Sequence, residues 1–458
     1  MLTNRKWFTA KLLFSTAGAG LGIMGRLRVS VSAGLACLIF GAALAQSPTA
    51  DDIIDQVLRQ GAAHADNRTP PAAHEPLVMG VRLGVHDDRT RFVVELSEPV
   101  AMRTFTLSNP NRVVIDMPSV KWHLDGPPRP GDYGAVRSYR YGTFRPGNSR
   151  FVIDLNQPVT VGEAMVLPPE NGSGYRIVFD LFPTAQAKFD HTAGWPEDLK
   201  ARNTAAEQAA LPKNPLPPQS RIKRVIVIDP GHGGPDPGTQ SADGQYEKDL
   251  VLAEALQVQR VLLARGYTVH MTRDSDVFVT LPQRRAIAQS WHADLMISIH
   301  ANSAPNPGID GLTVFTLSDK GSDAEARAVA KKENEADKTA GADLSGGNSD
   351  VTSILISMAQ RDTMNKASRF AEAALQELRG VTDIVRNMPH RGAAFVVLKA
   401  PDVPSVLIEL GFLTNPEEAK RMQTDAWRAR VARAIAAAVD RQFAVTADAG
   451  PQTGSASQ

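Results

Sequence analysis

Three short runs of β-branched and aliphatic residues constrain this chain most: Val225-Ile226-Val227-Ile228, Leu295-Met296-Ile297-Ser298-Ile299 and Ser405-Val406-Leu407-Ile408. Each has the length of a strand and is bounded by turn residues. Their lack of apolar–polar alternation requires burial on both faces, the condition of a parallel sheet sandwiched between helices. Each run ends on a group that can titrate or bind metal. The first leads into Asp229-Pro230-Gly231-His232-Gly233-Gly234, the second stops at His300 and the third at Glu409. Polar groups at the carboxyl ends of such strands lie where open α/β sheets build their sites.

Glu247 opens the helix after the first run and points back over the same edge. Two histidines and one carboxylate are a zinc ligand set that leaves a position for water, the arrangement of a hydrolase. Each residue also has a plain structural reading. A lone strand-end histidine is more often structural than a ligand, and Glu247 could complement its helix dipole. Glu409 could pair with Arg391 or Lys399, or shuttle a proton beside the metal. The glycine-rich segment lacks the Lys-Ser/Thr of a P-loop and the spacing of a dinucleotide fingerprint. Its glycines instead let backbone and imidazole approach a metal closely.

At 458 residues the chain is long enough for two or three domains, and 43% hydrophobic content supports ordinary cores. A formal net charge of +1 gives no field for nucleic acid. Arg26 and Arg28 precede the apolar stretch from Val31 to Phe40, followed by Ala43-Leu44-Ala45. This predicts a signal peptide over 1–45, too short in its apolar part for the ~20 residues of a span, so no stable membrane span is expected after cleavage. The single cysteine, Cys37, would leave with it, and the exported protein would owe its stability to its cores rather than to disulfides.

Residues 46–75 read as a flexible lead. Residues 76–183 alternate like strands and repeat themselves: Arg91-Phe-Val-Val-Glu-Leu-Ser-Glu-Pro-Val returns as Arg150-Phe-Val-Ile-Asp-Leu-Asn-Gln-Pro-Val, and Arg112-Val-Val-Ile-Asp-Met returns as Arg176-Ile-Val-Phe-Asp-Leu. Two matches in the same order predict a pseudo-symmetric all-β sandwich. Residues 184–220, rich in proline, read as a semi-extended linker with a short helix at 203–211. Residues 221–445 alternate strands with helices at 247–265, 281–291, 322–338, 364–379 and 425–443, with capping boxes at Thr280 and Ser322. Strands are expected at 225–228, 267–272, 295–300, 311–317, 394–398 and 405–409. The expected fold is thus an α/β domain with a mixed, mostly parallel sheet flanked by helices, preceded by the β domain. A disordered tail is expected over 446–458.

The segments Ile228-Asp-Pro-Gly-His-Gly-Gly-Pro-Asp-Pro-Gly238, Glu247-Lys-Asp-Leu250, Arg284-Arg-Ala-Ile-Ala288, Ser298-Ile-His-Ala-Asn302 and Leu407-Ile-Glu-Leu-Gly-Phe-Leu-Thr-Asn-Pro416 together resemble the amidase-3 type zinc N-acetylmuramoyl-L-alanine amidases. Residues 76–183 resemble, by strand pattern and repeat, the AMIN domain that precedes such enzymes. The resemblance implies one zinc on His232, Glu247 and His300, with Glu409 as the catalytic carboxylate. It implies cleavage of the amide between N-acetylmuramic acid and the L-alanine of peptidoglycan stem peptides, in the periplasm at the division septum, during daughter-cell separation. Asn302 and Arg284 are candidates for substrate or site support. A zinc carboxypeptidase and a non-catalytic wall-binding adaptor are the alternatives. The connection at about 319–363 exceeds ordinary loop length. Division amidases carry a comparable insertion in which a glutamate caps the zinc until a LytM-like periplasmic activator removes it. Glu333 fits that role, with Glu335 as its competitor and an exposed mixed-charge helix as the plain reading. The Gly/Ser stretch through Gly341, Gly346, Gly347 and Ser349 would be its hinge, and Val351 to Met358 an apolar face.

Overall fold

A computed structural model of the chain describes residues 75–124, 133–170, 172–209, 211, 223–342 and 358–448. The signal and lead segments, the second half of the linker, the stretch through Gly346, Gly347 and Ser349 with residues 351–357, and the last ten residues lie outside the described residues.

The β domain is two sheets face to face. One runs β5 (Lys121–Trp122), β1 (Leu77–Val85), β2 (Thr90–Leu96), β10 (Tyr175–Pro183) and β8 (Val159–Val161), with β9 (Met165–Leu167) also on β10. The other runs β3 (Arg103–Leu107), β4 (Arg112–Pro118), β7 (Asn148–Leu155) and β6 (Val136–Arg145). Alternation along the repeated strands decides what goes inward. Phe92, Val94 and Leu96 face Phe151, Ile153 and Leu155 in one buried core. The repeat is realised by exchange. β2 of the first half pairs with β10 of the second, and β4 of the first pairs with β7 of the second. The repeated arginine and aspartate therefore meet twice, Arg91 opposite Asp180 and Arg150 opposite Asp116.

The described first half of the linker is helical. Helices α1 (Gln186–Thr192) and α2 (Glu197–Ala209) fill 186–209. Phe189, Trp195 and Leu199 are buried against the β domain, and Pro196, the one proline in this stretch, stands just before α2 where it breaks no helical hydrogen bond.

The second domain holds a six-stranded sheet ordered β12 (Thr268–Met271), β11 (Val225–Pro230), β13 (Leu295–Asn302), β16 (Ser405–Phe412), β14 (Thr313–Leu317), β15 (His390–Ala393). All neighbours are parallel except β14 against β16. One face packs on α3 (Glu247–Ala264), α7 (Met358–Leu378), α8 (Pro416–Met422) and α9 (Asp425–Asp448). The other packs on α4 (Leu281–Ser290) and α5 (Ala324–Glu333). The strands β11, β13 and β16 are buried along their whole length, as their unbroken apolar runs require.

Three local expectations change. The 322–338 helix starts at Asp323, whose Oδ1 accepts from Ala326 N (2.7 Å), while Ser322 Oγ accepts from Gly392 N (2.8 Å). It also breaks at Asn334, whose amide donates to Ala394 O (3.0 Å) and accepts from Val396 N (2.7 Å); a second short helix, α6 (Ala336–Thr339), follows. The strand expected at 394–398 is instead β15 over 390–393 and a 3₁₀ turn over Val396–Leu398, because the run Phe395 to Leu398 is buried as a cap on α4 rather than along the sheet.

Phe151 is fully buried and touches Phe92, Trp122, Tyr139 and Tyr141 edge-on or tilted. Phe151→Ala is expected to cost the β domain about 3–5 kcal/mol. Urea unfolding followed by tyrosine and tryptophan fluorescence would show the shift in midpoint, with the second domain's transition unmoved.

Candidate metal centre

The end of β11 is built on a buried carboxylate. Asp229 is fully buried and accepts from Thr272 Oγ1 (2.6 Å), Ser298 Oγ (2.6 Å) and Arg284 Nη1 (2.7 Å). Burial would raise its pKa, but Arg284 and the two hydroxyls hold it below its ordinary value. Arg284 also donates to Pro230 O (2.5 Å) and His232 O (2.7 Å), and Arg273 Nη2 donates to Gly231 O (2.7 Å). Two guanidiniums thus fix the backbone that carries His232. That residue takes φ of 59°, a left-handed conformation rare outside glycine and characteristic of constrained functional sites.

His232 Nδ1 donates to Asp236 Oδ2 (2.8 Å), which turns Nε2 into the site. Nε2 lies 2.9 Å from Glu247 Oε1 and 3.3 Å from Glu333 Oε2. His300 Nδ1 lies 3.3 Å from Glu247 Oε1 and 3.0 Å from Glu333 Oε2. Two glycines make this convergence possible. A Cβ at Gly231 would sit 2.3 Å from the His300 ring, and one at Gly238 2.6 Å from Glu247 Oε2. Glu247 stands at the start of α3, but its carboxylate does not cap its own helix. Oε1 accepts from Ala301 N (3.0 Å) and Oε2 from Thr239 N (2.8 Å).

His232, Glu247, His300 and Glu333 each place one donor atom within 4.8 Å of all the others. Ligands at zinc bond lengths on a tetrahedron stand about 3.3 Å apart, close to the 2.9–3.3 Å contacts here. His232 Nε2 and both oxygens of Glu333 and of Glu409 are buried without a hydrogen bond of good geometry, Lys332 Nζ reaching Glu333 Oε1 only as an ion pair. A cation at the centre of these donors would satisfy such atoms. Burial would push His232 down, yet Glu247, Asp236 and Glu333 hold it well above its ordinary value. Burial is likewise outweighed at His300, where Glu333 and Glu247 raise the pKa to about 9. The site therefore demands positive charge, and the donor set fits a divalent metal.

Glu409 is 1% exposed and sits opposite His300 in the β13–β16 register. Burial, with Glu333 and Glu247 adding and His300 opposing, pushes its pKa up to about 8. Arg391, one of its two anticipated salt-bridge partners, turns away to Glu325 Oε2 (2.7 Å). Asn302 folds onto its own backbone, with Oδ1 accepting from Ser303 N (2.8 Å). Glu333 ends α5 at 4% exposure, between the two histidines, whereas Glu335 is exposed. Two participants escape sequence reading. Asp236 is signalled only by its four-residue spacing from His232. Lys332 Nζ, from the same helix end as Glu333, reaches Glu333 Oε1 (3.0 Å), Thr239 Oγ1 (2.9 Å) and Glu247 Oε2 (3.6 Å).

A parallel-sheet edge carrying two histidines and buried carboxylates is a candidate metal site of the hydrolase kind on an α/β domain. The profile of the N-acetylmuramoyl-L-alanine amidase family matches residues 226–441, and that of the AMIN domain matches residues 80–181. The chain is 34% identical over 380 residues to the N-acetylmuramoyl-L-alanine amidase AmiC of Neisseria meningitidis, covering 80% of this chain and 90% of that one. It is 34% identical to AmiC of Escherichia coli, over 80% and 89% of the two chains, and 40% identical to Escherichia coli AmiA, over 50% and 79%. This chain belongs to the N-acetylmuramoyl-L-alanine amidases that carry an AMIN domain. It is a peptidoglycan amidase, and neither the carboxypeptidase nor the adaptor alternative is kept. Among the described residues no helix is long and apolar enough to cross a membrane.

Asp236→Ala removes the hydrogen bond that orients His232 without removing a ligand. Metal affinity is expected to fall about 10–100-fold. Competition with a chromophoric chelator would measure it, alongside His300→Ala, which is expected to lose stoichiometric metal while remaining folded.

Proposed function

We propose that the chain is a zinc-dependent amidase held latent by its own glutamate. The observation that carries this reading is the burial of Glu333 between His232 and His300, with every member of the cluster at most 6% exposed. His232, Glu247 and His300 would hold the metal. Zinc, when bound, polarises a carbonyl and makes water acidic enough to attack near neutral pH. Glu409, opposite His300 on the adjoining strand, accepts the proton of the attacking water and returns it to the L-alanine nitrogen as the amide breaks. Asp236 keeps His232 in the tautomer that offers Nε2. Arg284 acts as site support through Asp229 and the His232 carbonyl, and Asn302 shapes the end of β13. Glu333 fills the position the water needs, and Lys332 tethers it there.

The remaining context follows the same reading. The enzyme works in the periplasm after export, the AMIN domain brings it to peptidoglycan at the septum, and its cuts release daughter cells. A LytM-like activator withdraws the insertion.

Glu409→Gln is expected to keep zinc and lose about 10²–10⁴-fold in turnover, since the amide can accept a hydrogen bond but cannot carry the proton. Metal content and the release of stem peptides with a free L-alanine amino group, read by mass spectrometry of digested sacculi, check both halves. A near-normal rate would make Glu409 structural. Glu333→Ala is expected to hydrolyse sacculi without an activator. If it stays as quiet as the parent, zinc capping by this residue is wrong.

A further inference from the structure

We propose that the β domain is the latch of the inhibitory segment: Arg112, Arg140 and Arg150, on the outer face of its four-stranded sheet, grip the backbone that follows Glu333 and hold it over the site. The proposal rests on the reading that Glu333 closes the site, and it assigns the part that keeps it closed.

The grip is a row of backbone contacts. Arg112 donates to Lys338 O, Arg140 Nε donates to Thr339 O (2.7 Å), and Arg150 Nη1 donates to Ala340 O (3.3 Å) and Gly341 O (2.7 Å). Four consecutive carbonyls at the end of α6 therefore meet guanidiniums. Lys338 O keeps an amide donor, Gly341 N (3.0 Å), but carbonyls at a helix end otherwise lack helical donors, and arginine side chains are suited to fill that role. The row starts five residues beyond Glu333. Between them, Asp337 Oδ1 accepts from Leu281 N (2.9 Å), so the segment is held from both domains.

Carboxylates behind the arginines set their direction. Arg150 forms a fork on Asp116, with Nε–Oδ1 at 2.5 Å and Nη2–Oδ2 at 2.8 Å, and Arg140 pairs with Asp154. The fork leaves Nη1 aimed at the segment. The Arg150 guanidinium also lies 3.5 Å from the centroid of the Phe144 ring. Ala340 and Ala342 pack into one apolar cluster with Val114 and Phe144 of the same sheet. The latch has a fixed end as well: Phe278 N donates to Thr143 O (3.1 Å), and the Phe144 and Phe278 rings stack at 5.8 Å.

The internal repeat supplies a control. Arg82, Arg91 and Arg176 take the matching places on the other sheet, beside Glu95 and Asp180, in the same register. Their side chains are 63%, 33% and 25% exposed, whereas those of Arg140 and Arg150 are 18% and 0% exposed. The sandwich itself therefore does not require this face to be covered. What covers the second copy is the inhibitory segment.

The test uses the full-length, zinc-loaded protein. Its variants are Arg112→Gln/Arg140→Gln and, as a milder change that keeps charge at the most buried position, Arg150→Lys. Two readouts are taken: hydrolysis of purified sacculi without activator, and hydrogen–deuterium exchange of amides 336–342. The double variant is expected to lose protection over 336–342 and to raise the basal rate about tenfold or more, as two charge-assisted hydrogen bonds leave the closed state. Arg150→Lys is expected to move both readouts in the same direction by less. Glu333→Ala should raise the rate with 336–342 still protected. Unchanged protection in both arginine variants overturns the proposal, and so does lost protection with a wild-type rate when Glu333→Ala is active. A silent Glu333→Ala beside active arginine variants would sink the capping role of Glu333 and leave the latch standing.

Discussion

The buried pair of Asp229 and Arg284 fixes the height and direction of everything above the sheet edge. A carboxylate at full burial is tolerable only when charge and hydrogen bonds surround it, and Asp229 has one guanidinium and two hydroxyls. Those partners come from the end of β12, from α4 and from β13, so three elements are tied to the end of β11 by one side chain. The same guanidinium reaches the carbonyls of Pro230 and His232. The strained φ of His232 is thus held by a rigid base and is not left to a loop. Removing either partner of such a pair leaves an uncompensated buried charge, which typically costs about 3–5 kcal/mol.

Above that base the site is an excess of buried acceptors. Glu247, Glu333 and Glu409 are each at most 4% exposed, and the imidazoles between them are driven toward the charged form. Lys332, beside Glu333 at the end of α5, supplies part of the balance, so this helix end brings one positive and one negative group together and adds no net charge to the cluster.

How much of this was legible in the sequence depends on whether the signal was local. The four residues His232, Glu247, His300 and Glu409 each follow an apolar run or open a helix, and those runs mark their places. The repeat was legible because the side-chain period of strands preserves it, though not the exchange of strands between halves, which is a matter of pairing and not of pattern. Phe189, Trp195 and Leu199 lie too far apart among prolines to announce two packed helices. Helix α8 was missed although Asn415 and Pro416 carry an N-cap signal, with Asn415 Oδ1 accepting from Glu417 N and Glu418 N. Lys332 and the grip on residues 338–341 depend on contacts between distant segments, which no window along the chain can show. Glu333 and Glu335 look alike along the chain and separate only in the fold, where the helix break at Asn334 leaves Glu333 buried and Glu335 exposed.

The exchange of strands has a consequence for the order in which the β domain can form. Arg91 and Asp180 are 89 residues apart in the chain, yet they share the central pair of one sheet. The hairpins β1–β2 and β6–β7 can assemble locally, but neither sheet is complete until the later half has arrived. Closing such distant pairings is slow compared with local structure. A nascent chain that ends before residue 175 would therefore hold the four-stranded sheet and the β1–β2 hairpin, with the other sheet still lacking β10 and the core still open on that side. The β domain commits to its fold only as its last strand emerges, just ahead of the enzyme it precedes.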